Sequence, residues 1–147
     1  MARLRVLKCL LAQVVRQYGP RLTSDLLGVD YFYTVPADTE FPRRLGQLEL
    51  FVRFWGDGPF TGRVRVTVTR LHPDGSDRDR VYWREFGLSV KRGAGPFVLD
   101  QGFKLRDVVV PGEALYAVRV LRRGARGWDG RRRWRVLSTD HLDIRRA

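Results

Sequence analysis

The sequence predicts an all-β protein, mainly antiparallel, folded as a β-sandwich that is immunoglobulin-like or related, with about seven to eight strands and room for one short helix. From Gly46 onward, apolar and polar residues alternate with the period of two that half-buried strands require. Turn signals that contain glycine and proline separate short runs rich in β-branched and aromatic residues. The 147 residues, 44% of them hydrophobic, fit a single domain over residues 1–147 with its own core.

The first third of the chain leaves two alternatives open at its start. Helical spacing connects apolar residues from Leu7 to Tyr18 and ends at a Gly-Pro pair, whereas a strand over Leu4–Cys9 fits the same region. Leu26–Val35 is rich in aromatic and branched residues and is predicted to be a strand. Two prolines indicate a loop over Pro36–Arg44.

Three strands are predicted in the middle of the chain, at Gln47–Trp55, Arg63–Arg70 and Asp79–Val90. The first two alternate cleanly, and the third alternates less regularly, which indicates a bulge. The segments GDGPFTG and HPDGSD between them have the composition of a loop and of a tight turn. Phe51 and Trp55 lie on the side of the first strand opposite its apolar face. The side of Trp83 is similarly ambiguous. For these aromatic residues, a covering layer, as the N-terminal segment could provide, is favoured over an interaction patch.

The predicted strands end with Phe103–Val110, Ala114–Arg122 and Arg132–Ser138. Tyr116 follows PGEAL at the start of a strand. It forms either a tyrosine corner, as in immunoglobulin-like sandwiches, or an ordinary part of the core, and the sequence does not separate the two.

The last two strands form an arginine-rich hairpin. When they are placed opposite each other, Trp134 and Val136 belong inside, as do Tyr116, Val118 and Val120. The same parity predicts that four arginines point outward together, namely Arg119, Arg131, Arg133 and Arg135. Like charges at neighbouring positions on a sheet cost stability, so solvent, nearby acids or a partner must relieve them.

The net charge of +12 comes largely from this region, because Leu115–Ala147 holds ten arginines and three aspartates. A solvated face that blocks unwanted strand pairing explains such a run without any ligand. Among functions, we expect a non-catalytic interaction module whose basic hairpin face docks an acidic protein partner or self-associates. The alternative is a nucleic-acid or polyanion binding protein, since arginine forks bind phosphate and an exposed tryptophan stacks on bases. The candidate binding residues are Arg119, Arg122, Arg123, Arg126, Trp128, Arg131, Arg133 and Arg135.

No residue pattern points to catalysis, a cofactor or a metal, so we expect no enzyme activity. His72 and His141 have no cysteine or histidine at ligand spacing, although His141 between two aspartates is a distant candidate for a general base. The aspartates of HPDGSDRD are explained by turn chemistry rather than calcium, and KRGAGP lacks the lysine-serine pair of a phosphate loop. The single cysteine, Cys9, is expected to be a small buried hydrophobe, and we expect a cytoplasmic protein without a signal peptide or membrane span.

Several short motifs resemble those of small bacterial β-sandwich proteins of uncharacterised function. They are an apolar opening with a cysteine, then Leu26-Leu27-Gly28-Val29, then Phe41-Pro42, followed by paired strands. The resemblance covers about the first half of the chain. It implies a β-sandwich and no particular activity, and it favours a strand over a helix at Leu4–Cys9.

Overall fold

The computed structural model describes residues 3–12, 14–18, 23–27, 32–46, 48–90, 95–126 and 128–147, and over these the protein is built from β-strands without a helix. The all-β, mainly antiparallel prediction is therefore confirmed, and the described residues form twelve strands rather than seven or eight. The strands are β1 (Leu4–Ala12), β2 (Val14–Tyr18), β3 (Thr23–Leu27), β4 (Phe32–Val35), β5 (Arg43–Arg44), β6 (Glu49–Gly56), β7 (Phe60–Leu71), β8 (Asp77–Val90), β9 (Phe97–Lys104), β10 (Val109–Val110), β11 (Ala114–Arg126) and β12 (Arg132–Arg146).

Two larger sheets share one core. The five-stranded sheet has the order β4-β12-β11-β7-β8 and curls as a half-barrel, and the three-stranded sheet has the order β1-β6-β9. The pairs β5–β10 and β2–β3 form two small additional sheets. All neighbours are antiparallel except β4 and β12, which run parallel. The start of the chain thus forms strands over Leu4–Ala12 and Val14–Tyr18, so the helical alternative from Leu7 to Tyr18 is wrong for these described residues.

The core lies between the two larger sheets and follows the alternation of the sequence. Val64, Val66 and Val68 of β7 are buried, and so are alternate residues of β11 and of β6. Phe86 of β8 packs on Phe103 of β9, with ring centroids 4.6 Å apart, and so joins the two sheets. Because each fully buried side chain of this kind contributes roughly 1.5–3 kcal/mol, the alternating faces account for much of the driving force.

The tight turn and the bulge predicted in the middle of the chain are confirmed. The turn before β8 closes through hydrogen bonds from His72 N to Ser76 O and from Gly75 N to His72 O, with Gly75 at φ 87°. Register shifts in the β7–β8 pairing confirm the bulge predicted in the third middle strand. Phe51 is buried and Trp55 is half-buried, as predicted for residues under a covering layer: β2 lies against β6, and Arg5 of β1 lies over the Trp55 ring. For Trp83, which is 51% exposed, the prediction of a covering layer is wrong.

Two details near the C-terminal half differ from, or refine, the sequence prediction. The strand predicted at Phe103–Val110 is divided between β9 and β10, because the chain turns at Asp107, whose φ is 60°. Tyr116 is fully buried, and its hydroxyl donates a 2.6 Å hydrogen bond to the Gly112 carbonyl. This is the hydrogen bond of a tyrosine corner, made by a residue that is also part of the core.

Candidate functional site

The arginine-rich hairpin is formed by β11 and β12, which are neighbours in the five-stranded sheet. Its pairing runs from Ala114 opposite Ile144 to Arg126 opposite Arg132. Pairing of β11 with β7 ends at Arg122, so the hairpin continues beyond that point as a two-stranded ribbon. At the tip, Asp129 Oδ1 accepts a hydrogen bond from Arg131 N, and Trp128 is 96% exposed. The ribbon therefore presents an aromatic ring to solvent at its end.

A register shift within the hairpin reverses the predicted orientation of its second half. Val120 pairs with Ser138, but the next residue, Leu121, pairs with Val136, so Leu137 is an extra residue in β12. An extra residue exchanges the two faces of a strand, because side chains alternate with a period of two. The prediction that Trp134 and Val136 lie inside is therefore wrong, and Val136 is 48% exposed. Leu137 packs against the core in their place.

The outer face of the five-stranded sheet carries a stack of arginine and tryptophan side chains. The Arg65 guanidinium lies 4.0 Å from the ring centroid of Trp134 and 4.8 Å from that of Trp83, which is itself 51% exposed. Glu85 Oε1 accepts a 2.7 Å hydrogen bond from Arg65 Nη2, and this bond lowers the pKa of the Glu85 carboxyl. Of the candidate arginines, Arg119 belongs to this face, where it is half-buried and forms a two-pronged ion pair with Asp77 at 2.8 and 3.2 Å. A guanidinium held in this way is not free for a partner.

The opposite face of the hairpin carries Arg122 and Arg135 directly across from each other. Arg122 is half-buried and lies over the Phe60 ring, with 4.8 Å between the guanidinium carbon and the ring centroid. Its pKa is lowered, first by burial and then by the charge of Arg135. In the described part of the chain, neither of these two arginines forms an ion pair within 4 Å.

The predicted site is thus divided between separate surfaces. Arg123 is opposite Trp134 and shares the outer face with Arg119, whereas Arg133 alternates with Trp134 and shares the face of Arg122 and Arg135. The prediction that Arg119, Arg131, Arg133 and Arg135 form one cationic face is wrong for this reason. Arg131 and Trp128 are exposed at the tip. Arg126 ends β11 opposite Arg132, and its side chain lies outside what the structure describes.

Sequence reasoning did not identify the residues that complete these two surfaces. Arg65 and Trp83 both lie more than 50 residues before Trp134 in the sequence. The three side chains meet because of the order of the strands in the sheet. The outward position of Arg65 could be found from the alternation of RVRVTVTR, but its contact with Trp134 could not. Phe60 lies in the segment predicted to be a loop and instead begins β7.

A polar cluster lies where β1 approaches β12, at Cys9, Ser138 and Asp140. Burial raises the pKa of the Cys9 thiol to about 12, against a hydrogen bond with Ser138 that lowers it. Cys9 is half-buried and packs against the core, as expected for a small hydrophobe, and a thiol with this pKa is a poor nucleophile at neutral pH. Burial also raises the pKa of the Asp140 carboxyl, and His141, the distant candidate for a general base, is exposed.

The carboxylates considered for calcium are engaged by side chains of the turn and of the sheet. Asp74 accepts hydrogen bonds from Ser76, and Asp79 pairs with Arg70 at 2.8 Å. Among the residues that the structure describes, no group of three or more His, Cys, Asp or Glu side chains is arranged to hold a metal ion. Over the same residues, the fold has no helix with the length and apolarity that a membrane crossing needs.

Comparison of the chain with protein-family models, with curated proteins and with solved structures finds no match. Its function is therefore inferred from the geometry of the site.

Proposed function

We propose that the protein is a non-catalytic binding module whose hairpin tip docks an acidic protein partner. The observation that carries this proposal is the 96% exposure of Trp128 at the end of the β11–β12 ribbon. Tryptophan and arginine are among the residues most enriched at binding hot spots.

The charge around Trp128 supports an acidic partner. Arg123, Arg131 and Arg133 are exposed around this end of the ribbon, and within the described chain none of them forms an ion pair. The net charge of +12 adds a long-range field that attracts acidic surfaces and raises the association rate. Self-association would have to overcome this repulsion, so a separate acidic protein fits better than a second copy.

The test is recovery of a partner on the immobilised wild-type protein at moderate salt, with its identity established by mass spectrometry and its affinity measured with the purified partner. Trp128→Ala is expected to weaken binding at least about tenfold, as for a hot-spot residue. Trp83→Ala is the matched control, because it removes an exposed tryptophan from the outer sheet face rather than from the tip. A partner without an acidic surface, or equal affinity for wild type and Trp128→Ala, contradicts the proposal.

Binding of nucleic acid or another polyanion is the second candidate function. It is favoured by Arg122 and Arg135, which lie opposite each other on the other face of the hairpin and form no ion pair within the described chain. This function predicts that affinity for DNA, RNA or heparin falls steeply as salt rises and drops when the hairpin arginines become serine. Binding retained after those substitutions would remove the hairpin from this function.

We also propose that the two larger sheets act as the layers of an immunoglobulin-related sandwich. The Tyr116–Gly112 hydrogen bond supports this, because it is a recurrent feature of such folds. Kinship with the small bacterial β-sandwich proteins and a cytoplasmic location stay predictions from the sequence.

A further inference from the structure

A groove of about 570 Å³ lies between the start of β1 and the hairpin. The lining residues that the structure describes include four arginines and no acid, and they are Arg3, Leu4, Arg5, Val6, Arg122, Arg135, Val136 and Leu137. The groove exists because β1 lies beside β12, although these two strands are far apart in the sequence. Further along the same seam, Cys9 and Ser138 are close enough for a hydrogen bond, so the groove occupies the end where Arg3 and Arg135 lie.

Among the described residues, no acid forms an ion pair within 4 Å with the four arginines of this groove. Arg122 and Arg135 are directly opposite each other, an arrangement that costs stability in a sheet without a counter-ion. Asp57 is the acid whose charge acts on Arg122, and it raises the pKa of that arginine by less than burial and Arg135 lower it. The net lowering of the Arg122 pKa is expected for a cation that has lost water and has no ion-pair partner within 4 Å among the described residues.

The groove is also shaped in advance for a ligand. Stacking on Phe60 holds the guanidinium of Arg122 in place, so little freedom would be lost when it binds. The volume falls within the roughly 300–1,000 Å³ that is typical of small-molecule clefts. Arginine forks match phosphate oxygens bidentately. Several arginines, with no acid among the described lining residues, suit a ligand with several compact negative charges better than a single carboxylate.

We propose that the groove between β1 and the hairpin, lined by Arg3, Arg5, Arg122 and Arg135, binds the phosphate groups of an oligophosphate ligand. This site is separate from the tip around Trp128 and does not depend on the proposed docking of a protein partner.

The test is titration calorimetry of the full chain with inorganic tripolyphosphate at low salt. Wild-type protein is expected to bind one tripolyphosphate, and Arg135→Gln is expected to weaken binding at least about tenfold, since a charge-assisted hydrogen bond contributes that much. Arg123→Gln is the matched control: it is one residue from Arg122, removes the same charge, and lies on the other face of the hairpin. Its affinity is expected to stay within about twofold of wild type.

A second variant separates binding from folding. Arg122→Gln is expected to abolish tripolyphosphate binding, and its thermal melting without ligand shows whether the fold is kept. If the loss of stacking on Phe60 unfolds this variant, Arg135→Gln at an exposed position decides the question alone. No binding by wild-type protein, or an equal loss in Arg123→Gln and Arg135→Gln, overturns the proposal.

Two further measurements identify the source of the phosphates and keep this site distinct from the tip. Displacement of tripolyphosphate by a short single-stranded oligonucleotide would support the groove and assign its phosphates to a nucleic-acid backbone. Lack of displacement would support a small oligophosphate instead. Trp128→Ala is expected to leave tripolyphosphate affinity unchanged, so failure of the tip proposal and failure of the groove proposal give different results.

Discussion

The contact between Arg65 and Trp134 gives a quantitative test of the hairpin geometry. The perturbation is a double-mutant cycle of Arg65→Ala and Trp134→Ala, with the free energy of unfolding measured by urea denaturation. The guanidinium carbon lies 4.0 Å from the Trp134 ring centroid, and the Arg65 side chain is only 20% exposed. Cation–π pairs contribute about 0.5 kcal/mol when exposed and about 2 kcal/mol when desolvated, so we expect a coupling energy of about 1 kcal/mol.

The same cycle distinguishes an outward from an inward Trp134. If Trp134 were part of the core, Trp134→Ala alone would cost about 3–5 kcal/mol and would not be coupled to Arg65. Arg63→Ala is the control partner, because Arg63 lies on the same face of β7, is exposed, and has no described contact with the Trp134 ring. Its coupling with Trp134→Ala should stay within about 0.3 kcal/mol. A coupling near zero for Arg65 would refute the stacked arrangement on the outer face.

Three further predictions concern buried polar groups. Tyr116→Phe should lower the free energy of unfolding by about 1–2 kcal/mol in urea denaturation, because it leaves the Gly112 carbonyl without its 2.6 Å hydrogen bond, and an unchanged midpoint would contradict this. Cys9, whose pKa is raised to about 12 by burial, should react with a thiol reagent at pH 7.5 only after unfolding, and fast modification of the native protein would be inconsistent with its burial. Asp140→Asn should raise stability at pH 7: the folded pKa of Asp140 is raised, so its contribution is favourable below the unfolded pKa and is lost as pH rises through the folded pKa. This advantage should disappear in acid, and an equal difference between variant and wild type at all pH values would exclude the carboxyl as its cause.

The parts of the fold that the sequence predicts correctly are those where alternation is unbroken. Val64, Val66 and Val68 alternate with polar residues, and Tyr116, Val118 and Val120 alternate with the smaller Ala117 and the charged Arg119. Both strands have the inward faces that the pattern indicates. A local pattern suffices there because the inward face of each strand repeats without an extra residue.

The start of the chain could not be assigned because its leucines fit two periods. Leu7 and Leu11 satisfy a helical spacing, but a register shift between Val6 and Lys8 in β1 leaves Leu7 56% exposed while Leu11 is buried. A bulge of this kind breaks the alternation that would have identified a strand.

The candidate site was predicted in composition but not in geometry. The sequence indicates an exposed, arginine-rich hairpin and its residues. It does not indicate the extra residue at Leu137, because this depends on the pairing with β11 and because β12 contains no glycine or proline that would mark a bulge. The groove also requires β1 to lie beside β12, a contact between opposite ends of the chain. Long-range arrangements of this kind are decided by packing rather than by local pattern.

The extra residue in β12 turns Trp134 and Val136 outward and so places Arg135 beside Arg122. The most direct measurement is thiol labelling of Val136→Cys in the native protein, in a Cys9→Ala background, with Val120→Cys as the buried control. Val136 is 48% exposed and Val120 is fully buried, so the thiol at position 136 should react at nearly the rate of the unfolded chain, and the thiol at position 120 only on unfolding. Equal protection of both positions would contradict the outward orientation of Val136, since it would place this residue in the core.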